Sequence, residues 1–416
     1  MTMLNKIFNK NKNIFYLYLS QIIEKLLYLV LLIFISRYLG TIGLGQYASS
    51  FAIVSMFFIF VNGGFDSLLI REISLNKANV RNYLLSLVAL KLVLGILIFF
   101  VIGYLLNILP AFSDIKNFIL ILAFSNLAGS ISQVYYCILI AYEKMKQVMV
   151  VSIITNIIIV SSALVSLIWK RDLLLLFGCF FIGSVSSLFL SMFLVSRLGI
   201  RPALQIDFKV VLGLIKKNMP FLLSSVFAFM LFRIDVVMLK LFRGNDVVGL
   251  YRAAYSFLIN FEAFPSFFMM SLYPKFSRLI KKDKPLLARL YKRSFLNLLL
   301  INIIILMPIF ILGDRLIAFV FGDTFKDSVI ILRWAAIAIF FLFQNACNFY
   351  FLNALNKPGI NAFIFFLGFF MNFILDLFLI PRYSYYGVLM SVVIVYSFIF
   401  ILSSYIAVRK ARALYE

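Results

Sequence analysis

Apolar residues run along this chain in stretches of about twenty, separated by short polar or charged connections. Hydrocarbon about 30 Å thick needs roughly 20 apolar residues at 1.5 Å rise each. A backbone in lipid has to satisfy its own hydrogen bonds, so these stretches are predicted to be helices. Spans are predicted over residues 14–36, 45–65, 83–106, 117–141, 147–169, 173–196, 219–239, 247–272, 294–313, 328–352, 359–380 and 386–408. They use almost the whole chain. The longest connection, Lys275–Arg293, is too short and too charged to fold alone. The expected fold class is an all-α polytopic membrane protein of about 12 transmembrane helices.

An internal repeat organises the spans. Gly40, Gly45 and Tyr47 match Gly244, Gly249 and Tyr251 at one constant offset of 204 residues, which also maps Ser20 onto Ser224 and Arg71 onto Lys275. Leu139–Lys144 matches Leu352–Lys357 at offset 213. Two six-helix lobes follow, because many transporters are duplicated helix bundles. The expected boundaries are an N-terminal lobe over 1–200, a cytoplasmic basic linker over 201–218 and a C-terminal lobe over 219–416. A central cleft is expected between spans one, two, seven and eight. Pro220, Pro265 and Pro308 sit in or near spans seven, eight and nine, where proline marks a kink.

Composition fits this reading: 416 residues, 64% hydrophobic, 13% charged. A net charge of +23 would point to nucleic acid in a soluble protein. Here most Lys and Arg fall in connections on one side if both termini share that side, which is the positive-inside pattern. Both termini are therefore expected in the cytoplasm. The basic then apolar N-terminus resembles a signal sequence, but its apolar run is too long and lacks a small-residue cleavage site. It reads as a retained first helix. Cys137, Cys179 and Cys347 all lie inside spans and read as small buried apolar residues. The chain has no histidine, which removes imidazole metal ligands and histidine proton relays.

Arg37-Tyr-Leu-Gly40, Gly45-Gln-Tyr47 and Gly64-Phe-Asp66-Ser-Leu-Leu-Ile-Arg71-Glu72 carry a resemblance. They look like the first helical hairpin of the bacterial polysaccharide-export flippases, the O-antigen-type translocases of the multidrug/oligosaccharidyl-lipid/polysaccharide (MOP) superfamily. The likeness extends to length, twelve spans, the two-lobe repeat and Leu352–Lys357. It implies movement of undecaprenyl-diphosphate-linked oligosaccharides from the cytoplasmic to the periplasmic leaflet of a bacterial inner membrane. Only Arg37 and Arg71 carry over from the motif; other charges are argued physically.

A charge in mid-span costs about 2.5–3.5 kcal/mol on insertion scales, so it faces protein or water and is a functional candidate. Lys25, Lys91, Arg233, Arg333 and, on the stripe Ser225–Phe229–Arg233–Lys240, Lys240 are candidates for the substrate diphosphate, with Arg37 from the motif. Arg suits bidentate contact with phosphate oxygens. The alternative is that Glu24, Asp235 and Asp376 neutralise Lys25, Lys91 or Arg333 in buried pairs that fix packing. Asn126 and Gln133 in span four, with Gln344 and Asn348 in span ten, are neutral amides suited to a glycan, or to interhelical hydrogen bonding. Arg71, Lys275 and Arg278 form a basic cytoplasmic rim. Glu24, Asp235 and Glu262 are candidates for Na⁺ or H⁺ coupling.

No phosphate-loop motif occurs, so ATP hydrolysis is not expected, nor is any catalysis. No bound cofactor is expected beyond a coupling ion. The alternative function is an ion-coupled multidrug or small-molecule antiporter of the same superfamily, against which a cationic cavity argues. A scaffolding membrane protein leaves the charges unexplained. Expected partners are the lipid-linked glycan, the bilayer and other glycan-assembly membrane proteins, with the chain acting as a monomer.

Overall fold

A computed structural model of the chain describes residues 3–200, 208–355 and 357–413. Every regular element among them is helical. The long helices are α1 (Met3–Asn62), α2 (Phe65–Leu75), α3 (Val80–Ile108), α4 (Lys116–Ala141), α5 (Met145–Trp169), α6 (Leu173–Ser196), α7 (Phe208–Leu231), α8 (Ile234–Arg243), α9 (Asn245–Lys282), α10 (Lys284–Phe321), α11 (Ser328–Ala354), α12 (Pro358–Tyr383) and α13 (Tyr385–Arg412). Short 3₁₀ turns precede α3, α4 and α11.

Among the described residues, nine stretches are long and apolar enough to cross a membrane. One of them, Leu19–Leu75, takes in most of the first expected span and all of the second. Expected spans seven and eight coincide with α7–α8 and α9. The first two spans form one helix interrupted at Gly40 (φ 65°, ψ −163°). Span seven departs further from expectation. It breaks at Phe232–Arg233, where Arg233 N–H reaches back only three residues, to Met230 O at 3.0 Å. Residues 201–207 of the expected linker lie outside the described residues, and helix α7 already begins at Phe208.

The chain forms two compact units, Met1–Leu39 with Ser49–Val226 and Gly40–Ala48 with Phe227–Glu416. In the first, a core gathers Phe65, Leu69 and Ile73 of α2, Leu84 and Leu87 of α3, and Val134, Ile138 and Leu139 of α4. Helices α4 and α6 meet through hydroxyls: Ser125 with Ser184 at 2.7 Å, and Ser132 with Ser187 at 2.8 Å and Ser191 at 3.2 Å. Small polar residues let membrane helices approach closely and hydrogen-bond across the seam. Cys137, Cys179 and Cys347 are buried thiols.

In the second unit, α11 is the central helix, packed against α9, α10 and α13. Ala335, Ala336 and Ala338 are all buried on it, and their small volume admits three neighbours. Met269, Phe276, Tyr291, Leu298 and Phe351 form a core there. Tyr291 and Phe351 stack with ring centroids 4.3 Å apart. The short segment Gly40–Ala48 packs into this unit, against the start of α9.

Candidate functional site

The break after α7 sets Asp235 in the first turn of α8, buried at 3% exposure. Tyr251 on α9 donates its hydroxyl to Asp235 Oδ2 at 3.0 Å. From α12, Asn372 donates its amide to Asp235 Oδ1 at 2.6 Å and to Asp376 Oδ2 at 3.3 Å. Asn372 and Asp376 are four residues apart, hence on one face of α12. Ser391 on α13 donates its hydroxyl to Asp376 Oδ1. Four helices thus converge on two carboxylates, both essentially sealed from the surface. Neither forms an ion pair with a described Lys or Arg, and Asn372 Oδ1 is buried without a donor among the described residues. An uncompensated buried charge is costly, so this arrangement calls for a cation. Carboxylate and amide oxygens are what a small hard cation selects. The sequence offers Asp235 for ion coupling and both Asp235 and Asp376 as acids that neutralise Lys25, Lys91 or Arg333; Lys91 and Arg333 pair with Asp66 and Asp314 instead. Asn372 and Asp376 at i, i+4 were the signal that could have completed the cluster.

A second feature adjoins the same break. A cavity of ≈ 330 Å³ is lined by Phe232, Phe349 and Phe365, by Tyr350, and by Asn345 and Asn353, with Pro265 of α9 on its wall. Arg233 follows Phe232 directly and is half-buried, its guanidinium lying 5.5 Å from the Phe229 ring centre. Lys240, one turn before the end of α8, is buried at 5% exposure. The four-residue stripe expected through Arg233 is therefore not one continuous helical face. The helix axis is interrupted between Phe229 and Lys240.

Other candidates have local partners. Lys91 is fully buried and donates to Asp66 Oδ1 at 3.2 Å and Asn62 Oδ1 at 3.1 Å. Arg333, partly buried, pairs with the exposed Asp314 at 2.8 Å. The Asn348 amide is consumed by protein, accepting from Tyr291 at 2.7 Å and donating to Ser403 at 2.8 Å and Ser404 at 2.9 Å. Asn126 donates to Leu122 O of its own helix. Gln344 is buried on α11, both of its polar atoms lacking a partner among the described residues, and Gln133 is half-buried on α4. Lys25 is half-buried and Glu24 exposed on α1, with Arg37 exposed further along. Arg71, Lys275 and Arg278 are exposed. The side chain of Glu262 lies outside the described residues.

Against known proteins, the sequence model described as "Polysaccharide biosynthesis protein" matches residues 11–280. No curated protein sequence matches the chain. Among solved structures, the fold is similar to the lipid II flippase MurJ in an inward closed conformation (TM-score 0.76, 17% identity, covering 95% of this chain and 87% of that one). It is also similar to an inward-facing MATE-family multidrug resistance transporter of the MOP superfamily (TM-score 0.66, 12% identity, 97% and 98% covered). A third is a MOP-superfamily transporter from Pyrococcus furiosus (TM-score 0.62, 13% identity, 97% and 94% covered). These relatives are flippases and transporters, not enzymes, and at such identities the likeness is one of fold. The match over most of its length makes this multi-pass membrane chain a member of the polysaccharide biosynthesis protein family, built on the fold of the MOP-superfamily flippases and transporters.

Proposed function

We propose that the chain is a flippase for polyprenyl-diphosphate-linked oligosaccharides, undecaprenyl diphosphate being the expected carrier. It moves the glycan headgroup from the cytoplasmic to the periplasmic leaflet of a bacterial inner membrane by alternating access, with both termini cytoplasmic. The observation that carries the reading is the cavity at Phe232, Phe349, Phe365, Asn345 and Asn353 in a member of a polysaccharide biosynthesis family. Apolar walls with a few placed polar groups are the usual make-up of a small-molecule site. Aromatic rings offer flat apolar faces to a sugar ring, and amides offer both donor and acceptor to its hydroxyls. Arg233 beside this cavity supplies a planar donor fork for the diphosphate. Arg37, Lys25 and Lys240 are further contributors to headgroup binding, and Arg71, Lys275 and Arg278 attract the anionic headgroup before entry.

Coupling is assigned to the Asp235–Asn372–Asp376 cluster. A proton or Na⁺ entering it would offset one of the two buried carboxylate charges, and a Na⁺ would also find the orphaned Asn372 oxygen. Because those ligands come from α8 and α12 and are hydrogen-bonded by Tyr251 of α9 and Ser391 of α13, the bound cation ties four helices together. That gives it a differential affinity for one packing of the unit, which is what a coupling ion requires. The test is reconstitution into proteoliposomes with a fluorescent polyprenyl-diphosphate oligosaccharide. Accessible label should equilibrate between leaflets without ATP and faster under a cation gradient. Movement of drug cations in place of the lipid-linked glycan would instead support the antiporter reading.

A further inference from the structure

A second cavity of the same unit lies apart from the site above. It is a groove of ≈ 490 Å³ between α10 and α13, walled by Phe295, Leu296, Phe400 and Val408, with Lys292 and Arg412 also in its lining. Its floor is fixed. Tyr291 and Ser404 line it, and both are held by the buried Asn348 amide, so the groove is built and not a gap in loose packing. Leu296 (47%) and Val408 (40%) remain exposed, which leaves the groove open along its side.

We propose that this groove binds one anionic glycerophospholipid of the surrounding bilayer, an acyl chain lying along α13 and the phosphate held between Lys292 and Arg412. Three observations converge on that occupant. From Phe400 to Arg412 the helix rises about 18 Å at 1.5 Å per residue, close to the ~15 Å of hydrocarbon in one leaflet. The walls are apolar along that length, and the cations in the lining are Lys292 of α10 and Arg412 at the end of α13, both long enough to reach along the groove toward a headgroup. Neither Lys292 nor Arg412 has an acidic partner among the described residues, in contrast to Lys91 and Arg333. Two uncompensated cations over an apolar groove complement a phosphodiester on an acyl chain. Basic pockets between helices on the cytoplasmic side are a recurrent form of lipid recognition. Lys292 belongs to the basic run Lys275–Arg293, and Arg412 to the basic end of α13 with Arg409 and Lys410.

The test is native mass spectrometry of the full chain in detergent, with phosphatidylglycerol or phosphatidylcholine titrated in. The wild-type chain should retain one phosphatidylglycerol in preference to phosphatidylcholine. The doubly substituted Lys292→Gln/Arg412→Gln chain should bind it at least tenfold more weakly. The control Arg409→Gln/Lys410→Gln, which removes equal charge from the same end without touching the lining, should retain it. A Ser404→Phe chain, with the groove filled and both cations intact, should lose it as well. Equal retention of the two lipids, or equal loss in the control, overturns the proposal. So does displacement of phosphatidylglycerol by an equal concentration of polyprenyl diphosphate, which would give the groove to the substrate tail. Dimerisation in place of lipid retention would give it to a second copy and overturns the proposal too.

Discussion

Gly40 and Gly244, 204 residues apart, interrupt their helices with the same backbone conformation, φ 65° and ψ −163° at one and φ 83° and ψ −172° at the other. That region is essentially restricted to glycine, and occupying it with another residue costs of order 1–3 kcal/mol. Five residues beyond each lies the closest backbone approach of the motif. A Cβ on Gly45 would stand 1.8 Å from Asn245 O, and one on Gly249 would stand 2.0 Å from Thr41 O. The two copies of the repeat therefore meet reciprocally, each glycine lying against the opposite turn. Thr41 and Asp246 close the contact with a side-chain hydrogen bond. The repeat read from the sequence is thus a packing motif, and its glycines are retained for space and for φ.

Gly45→Ala and Gly249→Ala should each lower thermal stability in detergent, by the ~1–3 kcal/mol typical of overpacking against backbone. Gly103→Ala, where nothing lies within 4 Å of the added Cβ, should leave the midpoint unchanged or slightly raised. Equal midpoints for all three variants would show that the reciprocal contact is not formed.

Lys91 and Asp66 should behave as a structural pair. Lys91→Met strands the Asp66 carboxylate and Asp66→Leu strands a fully buried ammonium. Breaking a buried pair costs ~3–5 kcal/mol, less here because Asp66 keeps a third of its exposure. The second single variant should be the more damaging, and the double variant should recover much of the loss. A double-mutant cycle on unfolding midpoints measures this; additive losses would remove the pair from the architecture.

How much of this was legible in the chain follows from the range of each signal. Helical spans were readable because length and hydropathy are local. Even the two that merge into α1 keep their division at Gly40. The break at Phe232–Arg233 is not readable, since no Gly or Pro marks it and Arg233 and Asp235 read equally well as charges inside a continuous helix. Pairings were hidden for a different reason. Asp235 meets Asn372 across 137 positions, and nothing in either local sequence announces the other. Asn348 looked like an amide free to bind sugar because its partners Tyr291 and Ser403 lie 57 and 55 residues away.

Arg233 should be needed for transport and not for folding. Arg233→Gln should reduce glycan movement by tenfold or more at normal protein levels. Arg233→Lys should recover only part, because a point charge does not reproduce the planar donor fork. Leaflet-accessibility measurements on reconstituted protein give the comparison. Full activity in the Gln variant would exclude a diphosphate contact.

Asp235→Asn and Asp376→Asn address coupling. Anything that binds the folded chain and not the unfolded one raises stability with its concentration, so a cation held by these residues must leave a thermodynamic trace. If the cation is Na⁺, the unfolding midpoint of the wild-type chain in detergent should climb with NaCl and not with choline chloride at equal ionic strength. Either Asn variant, which keeps shape and an acceptor oxygen but removes one negative charge, should flatten that dependence. If the cation is a proton, the midpoint is indifferent to Na⁺ but transport follows the pH gradient in the wild-type chain and not in the variants. Both variants should fold, because Asn372 can still donate to the new amide oxygen, while the hydroxyl of Tyr251 at position 235 or of Ser391 at position 376 can rotate to accept from its NH₂. Transport that keeps its full cation dependence in both variants would place coupling elsewhere in the chain and leave the buried carboxylates as a packing device only.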